Sequence, residues 1–495
     1  MSDDYLLAID QGTSSSRAIL FDAQARRVAG AQQEFRQHYP QPGWVEHEPE
    51  EIWSSVVAVV RRTLAEAGVG PGRIAALGIT NQRETTLLWD RDSGQCLGNA
   101  IVWQDRRTSA RCARLRNDGV EAGVTAKTGL RLDPYFSATK LEWLLDHIDG
   151  ARELADDGRL AFGTIDCFLL WRLTSGKVHA TDASNASRTL LYNIHEQRWD
   201  EDLLELFRIP ASVLPEVRDT AGDFGSTDGR LFGAGLAIRA MAGDQQAALV
   251  GQAGFETGMT KSTYGTGCFV ITNTGERALE SRNQLLTTIA WQLEGKPTYA
   301  LEGSIFVAGS ALQWLRDELG ILDAAPDSEA IAQRTGIVDN VHVVPAFAGL
   351  GAPYWDADAR GAILGLSRDS SREQIVTATL QAVAYQTRDL SEAMAEDGIA
   401  PGTLRVDGGM AANDWFLQFL ADLLDLPVER PVNTESTVLG AACLAGLASG
   451  VYAGFDDIAA LWQHERRVTP QMPAGQRAAL YDGWRRAVAR VRTTG

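Results

Sequence analysis

The chain has 495 residues, 45% of them hydrophobic, which exceeds what one core usually serves and supplies enough apolar side chains for two. Lysine plus arginine come to 46 against 64 for aspartate plus glutamate, and a net charge of −18 argues against sequence-independent binding of nucleic acid or an anionic membrane, so an anionic ligand must be met by local donors. The five scattered cysteines have no C-x-x-C spacing, which argues against a zinc or disulfide framework, and the start Met1-Ser2-Asp3-Asp4 reads as neither signal peptide nor membrane span, so the expected compartment is the cytoplasm.

In chain order, Leu6 to Ile9 and Ala18 to Phe21 flank Gly12, Thr13, Ser14, Ser15 and Ser16, the pattern of a β-hairpin with a small, hydroxyl-rich tip. Such a tip lets phosphate approach backbone, with Arg17 adding charge, and Asp10 at the end of the first strand is placed to meet a metal on that phosphate. A plain surface turn with a buried strand aspartate fits the same residues. No G-x-x-x-x-G-K-[ST] occurs, so this is not a P-loop. Pro49 to Ala67 carries apolar residues at helical spacing, and Ile74 to Ile79 reads as a buried strand emptying into Thr80, Asn81, Gln82, Arg83 and Glu84. Polar groups at a strand exit are where α/β proteins place ligands. Ala100 to Trp103 is a further run, followed by a helix to Arg116; Tyr135 to His147 is a turn entering a helix with stripe Leu141, Leu144 and Leu145. Thr164 to Leu173 is a further apolar run, and Ile238 to Ala242 stops at Gly243-Asp244-Gln245-Gln246, ahead of a helix over Ala247 to Val250.

The opening pattern returns at Thr263-Tyr264-Gly265-Thr266-Gly267-Cys268, half a chain later, which predicts a duplicated domain with the division near Gly251: residues 1–251 and 252–495. Beyond it the reading is a strand at Tyr299 to Gly303, helix Ser310 to Leu319, strand Val341 to Pro345, helix Gln374 to Met394, and strand Leu404 to Val406 running into Asp407-Gly408-Gly409 and helix Trp415 to Leu424. Helices over Thr437 to Gly446 and Tyr481 to Arg492 close the chain. A Gly-Gly at a strand exit with a helix behind it is a second place for a nucleotide to lie against backbone.

These residues alone offer Gly-containing strand exits for polyphosphate, the strand-exit carboxylates Asp10 and Asp244, and the adjacent pair Arg83 and Glu84. That pair is either a local ion pair or a grip on a hydroxyl compound, Arg donating and Glu accepting. Trp103, Tyr135 and Phe269 are either core or the wall against the carbon side of such a ligand.

Two long stretches, YFSATKLEWLLDH from Tyr135 and GAILGLSRDSSREQIVTATLQ from Gly361, resemble the signatures of the FGGY family of carbohydrate kinases. DQGTSSSRA, PGWVEHEP, GITNQRETT, AIVWQDRR, GDQQAALVGQ, STYGTGCF, VPAFAGLGAPYWD and RVDGG are similar, in the same order, to pieces of the members that phosphorylate glycerol. The resemblance implies an α/β fold of two actin-like, ribonuclease-H-like domains around a cleft, with ATP and Mg²⁺ used and ADP and glycerol 3-phosphate produced. It implies that Thr13, Ser14, Ser15, Arg17 and Thr266 hold the β- and γ-phosphates, and that Gly309, Gln313, Gly409 and Asn413 meet the rest of the nucleotide. Glycerol falls to Arg83, Glu84, Tyr135, Asp244 and Gln245, with Trp103 and Phe269 against its carbons; Asp244 is the implied base and Asp10 sits by Mg²⁺. A homodimer or homotetramer is implied as well. A pentulose or erythritol acceptor, or an actin-like ATPase with no acceptor, stands as the alternative. One family loop departs: where many members carry Gly-Gly-Thr-Arg and bind a sugar bisphosphate, this chain has Gly233-Ala234-Gly235-Leu236, without the arginine, so that control does not carry over.

Overall fold

The hydroxyl-rich opening is a hairpin, β1 (Tyr5–Gln11) against β2 (Ser15–Phe21), in a computed structural model that describes residues 5–493. The turn is tighter than the sequence suggests. Ser15 and Ser16 already belong to β2, opposite Glu34 and Gln33 of β3 (Arg27–Glu34), because the buried Ser16 hydroxyl finds that of Ser55 at 2.8 Å on α1 (Pro49–Ala67). Parallel to β1 runs β4 (Ile74–Asn81), and beside β4 runs β5 (Ile238–Gly243), giving the order β5-β4-β1-β2-β3. The near-continuous apolar run of β1 is explained by burial on both faces. Leu7 and Ile9 pack in the same core as Ile52 and Val56 of α1, whereas Leu6 and Ala8 lie in a core that also holds residues of the second half.

The second half repeats the plan. Its strands are β6 (Thr260–Tyr264), β7 (Cys268–Gly275), β8 (Leu286–Leu293), β9 (Lys296–Ile305), β10 (Leu404–Asp407), β11 (Val428–Pro431) and β12 (His464–Val468), in the order β8-β9-β7-β6-β10-β11-β12. With the edge strands β8 and β12 set aside, both sheets read third, second, first, fourth, fifth, the first three antiparallel and the last two parallel. The echo of the Gly/Thr hairpin is therefore a duplicated α/β domain of the ribonuclease-H-like, actin-like kind.

The helices are α2 (Ser137–His147), α3 (Asp244–Gly251), α4 (Gly309–Asp317), α5 (Arg372–Glu396), α6 (Asp414–Leu424), α7 (Ser436–Ala448) and α8 (Ala474–Val491), with shorter ones between. The expected helix from Gln374 starts earlier, at Arg372, because Ser371 and Gln374 form a capping box in which each side chain takes the other's N–H. The apolar run Thr164 to Leu173 is the helix Ile165–Leu173. Strands β3, β8, β11 and β12 were not anticipated. Helices α3 and α7 cross where the halves meet, with a Cβ built on Gly440 falling 1.8 Å from the Ala247 carbonyl oxygen and one on Gly251 falling 1.9 Å from that of Ser436, so neither site admits a side chain. All five cysteines are free thiols, four buried and Cys96 partly so. Among the described residues, no helix is long and apolar enough to cross a membrane.

Candidate active site

The strand exits of β4 and β5 lie side by side, and the polar residues after them meet. Arg83 is 3% exposed; its Nε lies 3.1 Å from Asp244 Oδ1, its Nη2 donates to the Tyr135 hydroxyl at 3.3 Å, and its Nη1 donates to Gln246 Oε1 at 3.3 Å. Trp103 packs edge-on to Tyr135 and Phe269, with ring centres 5.6 and 6.2 Å apart, and the Arg83 guanidinium sits 6.0 Å from the Phe269 ring centre. Gln245 donates its backbone N–H to Asp244 Oδ1 at 2.7 Å and accepts from the buried Lys261 ammonium. The seven residues named for the acceptor thus share one cluster: a donor edge, carboxylate acceptors and an aromatic wall, the makings of a site for a small polyol.

Arg83 and Glu84 do approach each other, at 3.8 Å, but the main partner of each lies elsewhere. Glu302 of β9 takes both terminal nitrogens of Arg83, at 2.5 and 3.2 Å, and Arg188 donates its Nε to Glu84 Oε1 at 2.7 Å and its Nη2 to Glu302 Oε1 at 2.9 Å. Burial pushes the Glu302 carboxyl up, but the Arg188 and Arg83 guanidiniums override it and hold it at about 2; burial likewise raises Glu84. Sequence reasoning missed Glu302, Arg188 and Lys140. Lys140, wholly buried in the first turn of α2, donates to the carbonyls of Pro134, Tyr135 and Phe136 at 3.0, 2.6 and 2.8 Å and so fixes the loop that presents Tyr135, while burial pushes its ammonium down to about 7. For Glu302 the available signal was a charge standing inside the apolar run Tyr299 to Gly303; Arg188 and Lys140 stand among serines, threonines and other polar residues and carried no such signal.

The turn of the first hairpin is Gly12, Thr13 and Ser14, with Ser14 exposed. Thr13 Oγ1 accepts from Trp103 Nε1 at 2.9 Å, which ties the turn to the aromatic wall. Ser15 Oγ accepts from Gln32 at 2.9 Å, and Arg17 pairs with Glu435, next to α7. Asp10 lies opposite Arg17 in the ladder, and its carboxyl is pushed up to about 7 by burial, the Asp244 and Glu435 carboxylates adding to the rise and Arg17 opposing it.

The remaining predicted residues gather in the second half. Thr266, Gly309, Gln313, Gly409 and Asn413 all line one cavity of about 400 Å³. Thr266 is exposed at the tip of the second hairpin, and its carbonyl accepts the N–H of Ser310 at 3.1 Å. Gly309 opens α4 so close to the hairpin that a Cβ there would lie 2.6 Å from the Gly265 carbonyl oxygen. Asn413 is the N-cap of α6, accepting from the Phe416 N–H at 2.8 Å, with its amide nitrogen 3.4 Å from Ser328 Oγ.

Profiles of the FGGY family of carbohydrate kinases match the chain in two parts, the N-terminal domain over residues 5–251 and the C-terminal domain over residues 260–449. The chain is 61% identical over 492 residues to a glycerol kinase of Ectopseudomonas mendocina, with 99% of each chain covered, and 60% identical over 489 residues to glycerol kinase 1 of Pseudomonas aeruginosa, again with 99% of each covered. Among solved structures, a Plasmodium falciparum glycerol kinase with ADP superposes with a TM-score of 0.93 at 35% identity, covering 99% of this chain and 98% of that one.

Proposed function

The chain belongs to the FGGY family of carbohydrate kinases, and from that premise we propose that it transfers the γ-phosphoryl group of ATP to glycerol, giving sn-glycerol 3-phosphate and ADP in the uptake and degradation of glycerol. The observation that carries the reading is the hydrogen bond from Trp103 to Thr13, which sets the acceptor's aromatic wall one contact away from a turn suited to phosphate. Arg83, Glu84, Tyr135, Asp244 and Gln245 bind the hydroxyls, with Trp103 and Phe269 against the carbons. Thr13, Ser14, Ser15, Arg17 and Thr266 take the β- and γ-phosphates, and Gly309, Gln313, Gly409 and Asn413 take the nucleoside side. The halves divide at 251/252.

The residues suit a magnesium ion: Asp10 at the end of β1 offers carboxylate oxygen, the ligand type magnesium takes, and the Asp244 and Glu435 carboxylates are near enough to push its carboxyl up. Asp10 would hold Mg²⁺ through water, and the ion supplies neutralisation of charge on the triphosphate. In the transfer, a terminal hydroxyl oxygen attacks the γ-phosphorus in line, the bond from that phosphorus to the β–γ bridging oxygen breaks with its electron pair leaving on ADP, and the hydroxyl proton passes to Asp244. An ordinary carboxylate is a weak base, but in a loose transition state deprotonation comes late and positioning does most. The same reading expects a cytoplasmic homodimer or homotetramer.

A coupled ADP-release assay over glycerol, erythritol, xylulose and ribulose tests the proposal. Glycerol is expected to give the highest kcat/KM. A higher value with a pentulose or erythritol would move the assignment within the family, and ATP hydrolysis indifferent to every acceptor would favour an ATPase.

A further inference from the structure

Four charged side chains behind the acceptor cluster are almost wholly buried: Arg83 at 3% exposed, Glu84 at 1%, Arg188 and Glu302 at 0%. They form a closed ring of alternating sign, with Glu302 bridging the two guanidiniums and Glu84 facing both from the other side. The charges cancel, so removing either carboxylate would leave an extra buried positive charge beside Asp244 and removing Arg188 an extra negative one. Glu302 stands on β9 of the second sheet, whereas the other three belong to the first half, so the ring closes only across the two.

We propose that Arg188 and Glu302 are positioning residues for the acceptor, holding the Arg83 guanidinium and the Glu84 carboxylate in the one relative orientation that offers a donor and an acceptor to neighbouring hydroxyls of a polyol. The inference rests on the reading of the pocket as the glycerol site and adds two residues to it. Three observations carry it. Glu302 holds Arg83 by both terminal nitrogens, which fixes the plane of the guanidinium and directs Nε toward Asp244. Glu84 sits at φ 61°, a left-handed backbone costly for a side chain of this size, and it keeps that conformation with its carboxylate bonded to Arg188. Stability is a poor reason for the ring, because buried ion pairs are often replaceable by apolar groups without loss, and here Arg188 Nη1 is buried with no partner among the described residues.

The test compares Glu302→Gln, Arg188→Met and the paired change Arg188→Met with Glu302→Leu, each by steady-state kinetics and thermal unfolding. For the single variants the expected result is a glycerol KM raised by about tenfold or more, with kcat and the ATP KM within about threefold of the parent. The paired apolar variant is expected to unfold at or above the temperature of the single variants while its glycerol KM stays high. A glycerol KM within about twofold of the parent in the single variants, or one restored together with stability in the pair, would overturn the proposal and leave the ring a structural brace. Should the single variants fail to fold, Arg188→Lys keeps the charge but cannot bridge two carboxylates with one planar head group, and the same raised KM is expected of it. A parent with no glycerol-dependent ADP release would count against the functional reading itself, an outcome distinct from an active parent whose variants are unmoved.

Discussion

Asp244 illustrates how one residue can carry two readings. As a helix N-cap it would be structural, but Gly243 occupies the cap position and no side chain caps that helix; the Asp244 carboxylate takes only the neighbouring Gln245 N–H and lies 3.1 Å from Arg83. Its side chain is 30% exposed in an otherwise closed cluster, which suits the proposed role of a base that meets substrate. Replacing it with asparagine keeps the shape and removes the proton acceptor, so kcat is expected to fall by about a hundredfold or more with the glycerol KM within a few-fold. A kcat within about threefold of the parent would remove Asp244 from the mechanism. The residues legible in the sequence were those at strand exits and glycine turns, where a local pattern announces a ligand. Glu302 and Arg188 were not, because each acquires its meaning from a partner more than a hundred positions away, and a charged residue does not name that partner.

Among the elements, those with a local signature were read well: both hairpins, α1 to its ends, and the strands entering the polar clusters. What escaped were β3, β8, β11 and β12, which depend on a neighbour to define them. β3, β8 and β12 lie at edges of the two sheets, and β11 is a short stretch, Val428–Pro431, whose Glu429 pairs with arginines of β10 and β12. The crossing of α3 and α7 was likewise hidden, since Gly251 and Gly440 are individually unremarkable and only their meeting makes them necessary. Gly440→Ala is expected to lower stability by about 1–3 kcal/mol or more by forcing the two helices apart, seen as a depressed unfolding temperature. Because this crossing lies where the halves meet, kcat is expected to fall as well, and a variant indistinguishable from the parent in both measurements would mean the helices can slide without consequence. Lys140 is the counterpart at the start of α2. Its position within the long Tyr135 signature was plain, but its role as a triple donor to the preceding loop becomes visible only once that loop folds back over it.

Taken whole, the molecule is two copies of one topology joined by buried charge and tight helix packing, and α8 packs on α5 and α6 of the second half. That helix is pinned by Asp389 of α5, whose carboxylate takes the Tyr481 hydroxyl at 2.6 Å and the Trp484 indole N–H at 2.9 Å. Burial pushes the Asp389 carboxyl from its ordinary 3.8 up to about 7, so the folded protein holds that proton more tightly than the unfolded chain does. The contribution is therefore full below the ordinary carboxylate value and lost as pH rises through about 7. Unfolding temperatures measured from pH 5 to 8.5 are expected to decline more steeply in the parent than in Asp389→Asn, which cannot ionise; parallel curves would show that the group does not couple folding to pH. The duplicated fold was legible because a repeated hairpin is a repeated local pattern, whereas the seam between the copies is made of long-range pairs and was not. The thiols give the molecule a last property. Cys268 stands beside Phe269, yet burial pushes it up to about 12, as it does Cys96, Cys112 and Cys443, and it raises Cys167 further. Only the thiolate is nucleophilic, so the native enzyme is expected to ignore alkylating reagents and need no reductant on the bench. Slow labelling by such a reagent would then time the opening of the chain, sulfur by sulfur.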